Sequence, residues 1–202
     1  LQEALSRYEG TIEGFAAAFP YENIDSDRFR AYAKTVFLAS SVLRSGVESI
    51  AWAPRVSAAE RRAFEAAARI ERHDEYAVRD KTDDGRLEPA APTADYFPLR
   101  YVEPERSDTL LGLDLSRLRE LRDAVATGRT FATRTMEMWY GTEASLLFVP
   151  VYPATAKNGG GPIGVLTFRM SIAAAIDAII VAFEPIPQGI DLYVIDDAAP
   201  AG

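Results

Sequence analysis

Two stretches, Ser145-Leu146-Leu147-Phe148-Val149-Pro150-Val151-Tyr152 and Ile163-Gly164-Val165-Leu166-Thr167-Phe168-Arg169-Met170, decide the fold class. Each is eight residues of mostly β-branched, aromatic and aliphatic side chains, and a loop holding Gly159, Gly160 and Gly161 separates them. Both read as strands. A third candidate at 130–139 precedes them; strict alternation there puts Phe131, Thr133, Thr135, Glu137 and Trp139 on one face and Ala132, Arg134, Met136 and Met138 on the other. Working outward, 47–52 reads as a strand closed by Pro54, and 96–102 is extended, with Pro98 placing it at an edge or a bend. Residues 76–82 and 86–88 flank Asp84-Gly85, a hairpin signal.

Helical patterns occupy the intervals. Leu1, Leu5, Tyr8, Ile12, Phe15 and Phe19 recur at alternating spacings of four and three, a heptad stripe that Pro20 ends. This helix either packs on the domain's own core or is a stalk that continues upstream in a longer protein. Asp25-Ser26-Asp27 offers an N-cap for a second helix, with Phe29, Tyr32, Ala33, Val36 and Phe37 on one face. Ser57-Ala58-Ala59-Glu60 is a capping box that launches a helix to about Ile70. Another helix spans roughly 116–127 and stops at Gly128, and Ser171 can cap one more through Phe183, followed by a strand at 190–195. The order predicts an α+β domain, helices packed on one side of an antiparallel sheet. The last helix and strand read as the start of a second unit.

Composition narrows the chemistry. The 202 residues contain no Cys and a single His, which excludes a disulfide framework, a thiolate metal site and any two-imidazole cage. A net charge of −8 and a pI near 4.8 argue against a general nucleic-acid binder. No stretch reaches about 18 unbroken apolar residues, the length of a membrane span. His73 lies among charges, the triple glycine precedes a strand instead of opening a helix, and Asp83-Asp84 and Asp196-Asp197 are neighbours that point to opposite faces if extended. None of these makes a catalytic or metal site, and no cofactor is called for. The aromatic, Met and Thr side chains of the 130–152 strands could instead line a pocket for a small, flat, partly polar ligand, or simply pack against helices.

Several motifs occur in a recognisable order. Ile50-Ala51-Trp52-Ala53-Pro54-Arg55-Val56 is followed by Glu60-Arg61 and Phe64-Glu65, then Tyr96-Phe97-Pro98 and Tyr101-Val102-Glu103-Pro104. Leu111-Gly112-Leu113-Asp114, Ala126-Thr127-Gly128, Phe148-Val149-Pro150-Val151-Tyr152 and Gly164 complete the series. Together they resemble the CHASE domain, the extracellular sensor of cytokinin-receptor histidine kinases and many bacterial receptors.

The resemblance implies a small-molecule sensor, not an enzyme, on the periplasmic or extracellular side of a membrane-anchored parent. Such a parent can feed a two-component kinase, a cyclase or a cyclic-dinucleotide enzyme. It implies a stalk and helices over 1–45, a membrane-distal PAS-like ligand-binding unit over 46–170, and the start of a smaller membrane-proximal PAS-like unit over 171–202. Homodimers would form through the stalk, without nucleic acid. Thr133 corresponds to a strand hydroxyl near the pocket, and an acid beside the Tyr-x-Pro segment, here Asp95, would grip an adenine-like ring. Tyr96, Leu99, Tyr101, Thr135, Met136, Phe148 and Tyr152 are the other expected ligand-binding residues. The alternative is a dimerisation or protein-interaction module with a filled pocket.

Overall fold

In the computed structural model the described residues are 2–22, 24–39, 46–72, 75–82, 84–104, 110–137, 143–153, 160–171 and 173–174. The first two helices form where the apolar stripes predict them. α1 is Gln2–Ala17 and α2 is Ser26–Ala39. Asp25 caps α2, its carboxylate accepting the Arg28 amide at 2.8 Å. Ile12, Ala16, Phe19, Phe29, Ala33 and Val36 are buried in one apolar cluster with the sheet, so this part of the heptad stripe packs on the domain's own core. The side chains of Leu1, Leu5 and Tyr8 lie outside the described residues.

The chain then lays down β1 (Val47–Pro54), β2 (Val56–Ser57), α3 (Arg61–Arg72), β3 (Arg79–Lys81), β4 (Leu87–Pro89), β5 (Asp95–Tyr96) and β6 (Tyr101–Glu103). After these come α4 (Arg119–Thr127), β7 (Phe131–Ala132), β8 (Met136–Glu137), β9 (Glu143–Val151) and β10 (Gly164–Met170). The capping box closes as expected before α3: the Glu60 amide donates to Ser57 Oγ at 3.3 Å and the Ser57 amide to the Glu60 carboxylate at 3.2 Å. β3 and β4 form the predicted hairpin, with Gly85 at φ 85° in its turn. Gly128 ends α4 at φ 71°, its amide donating to the Ala124 carbonyl.

The main sheet runs in the order β6-β1-β10-β9-β7, antiparallel throughout, with β8 also paired to β9. Two expectations change here. First, 130–137 is not one strand, and Met138 and Trp139 of the expected strand lie outside the described residues. Phe131 pairs with Phe148 and Ala132 with Leu147, whereas Met136 pairs with Ala144, a register offset by one residue. The extra residue is absorbed at Thr133–Thr135, where the Thr133 amide donates to the Leu146 carbonyl at 2.8 Å and Thr133 Oγ1 accepts the Leu146 amide at 2.9 Å. The hydroxyl stands in for a ladder carbonyl, and the bulge breaks the simple alternation.

Second, apolar elements cover both faces of the sheet. Ile50, Trp52, Val149, Val151, Leu166, Phe168 and Met170 meet α1 and α2. Ala51, Ala53, Leu146, Phe148 and Val165 meet α4 and the crossover formed by residues 97–99 and 110–115. β10 is buried at six of its seven positions, which is what a strand covered on both faces requires. Ser171 Oγ accepts the Ala174 amide at 3.2 Å, the start of the predicted cap; the rest of that helix and the 190–195 strand lie outside the described residues.

Candidate functional site

The α4 side of the sheet is roofed by two crossing segments. Residues 97–99 and 112–115 bind each other through backbone bonds: Leu115 to Phe97, Leu99 to Leu113 and Gly112 to Leu99. Asp114 fixes the corner. Its carboxylate accepts the Phe97 amide at 2.7 Å, the Ser116 amide at 3.1 Å and the Ser116 hydroxyl at 2.6 Å. Buried Asp80 holds the neighbouring loop by accepting the Ala91 amide at 2.9 Å, and it pairs with Arg117 at 2.6 Å.

Arg61 reaches from α3 into the same loop. It donates to the Ala90 carbonyl at 2.9 Å, the Val78 carbonyl at 2.9 Å and the Tyr96 hydroxyl at 3.2 Å, and it pairs with Glu65 at 3.0 Å. Its guanidinium also lies 4.9 Å from the centroid of the Tyr96 ring.

Between the anchored 91–95 loop and α4 opens a cleft of about 410 Å³. Pro92, Phe97, Leu121 and Val125 give it apolar walls, and Asp95, Ser116, Arg117 and Arg122 bring polar groups to it. Its size falls within the roughly 300–1,000 Å³ range typical of small-molecule sites. On the same face of the sheet, a smaller cavity of about 50 Å³ is lined by Ala51, Leu99, Leu113, Leu146, Thr167 and Arg169, among others. Thr167 is buried, and its hydroxyl has no hydrogen-bond partner among the described residues.

The expected binding residues divide among these surroundings. Asp95 lines the cleft, half-buried, with its carboxylate 2.7 Å from Arg55. That hydrogen bond holds the Arg55 guanidinium above its usual pKa, against a smaller opposing effect of burial. Tyr96 is buried behind the loop, accepting bonds from Arg61 and the Thr93 amide. Leu99 lines the small cavity, and Phe148 is fully buried in the core beneath α4.

Thr133 is buried in the bulge, and Thr135 lies 3.2 Å from the Ser145 hydroxyl. Met136 is on β8. Tyr152, partly exposed beyond β9, places its hydroxyl against Gly128. Tyr101 belongs to the opposite face. It stacks on Phe29 at 5.5 Å between centroids and donates to Glu71 at 3.0 Å. Burial pushes its phenol up to about 12.

The structure therefore brings Asp95 to the cleft and Leu99 to the small cavity, and it keeps Tyr101 apart from both. The α4 residues Leu121, Arg122 and Val125, together with Arg117 and Thr167, were not anticipated. Their spacing of one, three and four along α4 is an ordinary amphipathic stripe, so nothing in the sequence distinguished them from core.

Among the described residues no cluster of His, Asp and Glu could hold a metal, and no helix is long and apolar enough to cross a membrane. A family model described as the CHASE domain matches residues 22–202. No curated protein matches the chain. Among solved structures, an extracellular ligand binding receptor from Desulfohalobium retbaense DSM5692 is similar over 88% of this chain, at 13% identity and a TM-score of 0.48. The chain spans 25% of that receptor's length.

Proposed function

The chain belongs to the CHASE domain family, a family of extracytoplasmic sensor domains, and from that premise we propose that it is the small-molecule-binding input of a membrane-anchored signalling receptor. The observation that carries this reading is the cleft between α4 and the 91–95 loop: concave, mostly apolar, about 410 Å³, with a few fixed polar groups at its edge. In this proposal residues 46–170 form the membrane-distal PAS-like unit and 171–202 begin the proximal one. The N-terminal helices carry the signal, through a stalk homodimer, to a cytoplasmic output domain.

The mechanism makes and breaks no bond. A ligand that prefers one arrangement of α4 and the crossover shifts the population toward it by its difference in affinity for the two states. Thermal-shift screening and calorimetric titration with purines, cytokinins and small organic acids test the reading. Ala126→Trp, on the exposed side of α4 in the cleft wall, blocks the volume with little effect on the core. Hits that Ala126→Trp abolishes support the site. Hits it leaves unchanged move the site elsewhere, and silence across the library favours a protein-interaction module.

A further inference from the structure

The charges around the cleft show what kind of molecule it takes. Four charged side chains line it: Asp95, Asp114, Arg117 and Arg122. Three are engaged within the protein. Asp95 is held by Arg55 at 2.7 Å, Asp114 by two amides and the Ser116 hydroxyl, and Arg117 by Asp80 at 2.6 Å. The Arg122 side chain alone has no hydrogen-bond or ion-pair partner among the described residues, and it is exposed on the α4 stripe that also presents Leu121 and Val125 to the cleft.

We infer that the cleft selects a small amphiphilic carboxylate, its apolar body against Phe97, Leu121 and Val125 and its anionic group on the Arg122 guanidinium. This rests on the proposal that the cleft is a ligand site and specifies the ligand's charge.

Two features of the geometry argue for this class. A neutral, donor-rich heterocycle is gripped most strongly by an uncommitted carboxylate, and both cleft carboxylates already have donors. A carboxylate is a planar monoanion that matches one guanidinium through two parallel hydrogen bonds. A phosphate monoester carries closer to two charges and would require a second uncommitted cation, whereas Arg117 is committed to Asp80. In a chain of net charge −8 the preference is local to this one side chain.

The test is a fragment screen built from matched pairs, each aromatic or aliphatic carboxylic acid beside its primary amide, for example 2-naphthoate and 2-naphthamide. Binding is followed by two-dimensional amide NMR of the wild-type chain and of Arg122→Gln. The expected result is that acids bind about tenfold more tightly than their amides, with shifts at the Leu121 and Val125 amides, and that Arg122→Gln erases this difference while amide binding stays unchanged. Added salt should also narrow the gap.

Amides binding as well as acids in the cleft, or acids keeping their advantage in Arg122→Gln, would overturn the carboxylate assignment and leave the cleft reading intact. No pair of either charge shifting the Leu121 and Val125 amides would overturn the cleft reading, and this inference with it.

Discussion

Arg61 is the side chain on which the cleft's loop wall most depends, and Arg61→Lys tests that dependence without removing charge. Its guanidinium spans four partners on three segments: Glu65 on its own helix, the Val78 carbonyl, the Ala90 carbonyl and the Tyr96 hydroxyl. A lysine ammonium is a point donor on a flexible stem and cannot span this fork. Not every lost bond counts equally. The Val78 carbonyl still accepts the Ala90 amide at 3.0 Å, and the Tyr96 hydroxyl still accepts the Thr93 amide at 3.2 Å. The Ala90 carbonyl keeps no other partner among the described residues, and leaving such a group unsatisfied costs about 1–3 kcal/mol. With the charge-assisted bond to Tyr96 and the ring contact also lost, the substitution should destabilise the domain by about 2–3 kcal/mol. For a chain of this length that lowers the thermal midpoint by roughly 8 °C. Differential scanning calorimetry of the wild type, Arg61→Lys and Arg61→Ala reads the effect directly. If Arg61→Lys melts within about 1 °C of wild type, the fork does not hold the loop and the reasoning fails.

Three further substitutions test the surrounding frame. Gly112 sits at φ 81°, and a Cβ there would collide with the Ala77 carbonyl while the backbone is bonded to Leu99 and Arg79 on either side, so Gly112→Ala should cost about 3 kcal/mol in urea unfolding; a loss under 1 kcal/mol would contradict it. Thr167→Val replaces a buried hydroxyl that has no partner among the described residues by a methyl of the same shape, and should raise unfolding stability by about 1 kcal/mol; a comparable loss would show that the hydroxyl is satisfied after all. Burial raises the Tyr76 phenol above its usual range and pushes Tyr101 up to about 12. Because the unfolded phenols ionise near 10, their stabilising contribution is complete below about pH 10 and is lost as pH rises toward the folded values. Urea midpoints measured from pH 8 to pH 11.5 should therefore fall above pH 10, and less steeply in Tyr101→Phe; an unchanged slope would refute the assignment.

What was legible in the sequence was local. The Ser57–Glu60 box, the Asp84-Gly85 turn and the Gly128 cap each satisfy their own backbone within four residues, so their chemistry is written in adjacent letters. The site was written across distance. Asp95 was readable as a candidate, but its partner Arg55 lies forty residues away, and that pairing decides whether the carboxylate is available to a ligand. The same holds for Arg61 with Ala90, twenty-nine residues apart, and for Asp80 with Arg117. The Thr133 bulge escaped because a threonine in an alternating strand looks the same whether its hydroxyl faces a pocket or replaces a ladder acceptor. Tyr101 and Leu99 were both expected at the ligand on the resemblance, yet the two enter opposite cores.

The two-sided sheet explains why the small cavity lies on the α4 face. On β1, the residues facing α1 and α2 are Ile50 and Trp52, and those facing α4 are Ala51 and Ala53. On β10 the same division sets Leu166, Phe168 and Met170 against Val165 and Thr167. Large side chains thus weld the N-terminal helices to one face, with the Phe19 ring tilted against Trp52 at 4.8 Å between centroids. The smaller side chains that these two strands present to the other face leave a cavity of about 50 Å³ beneath the crossover. Close packing makes the welded face resist compression, whereas the under-filled face can accept a change in volume with less strain. If a ligand moves the crossover, the displacement reaches β6 through the Leu99–Tyr101 segment. Tyr101 and the Ser26 amide both bond Glu71, so α2 is tied to that segment at its first turn. A strand whose residues alternate between the crossover face and the helix face makes the connection between the two short: one strand carries both contacts.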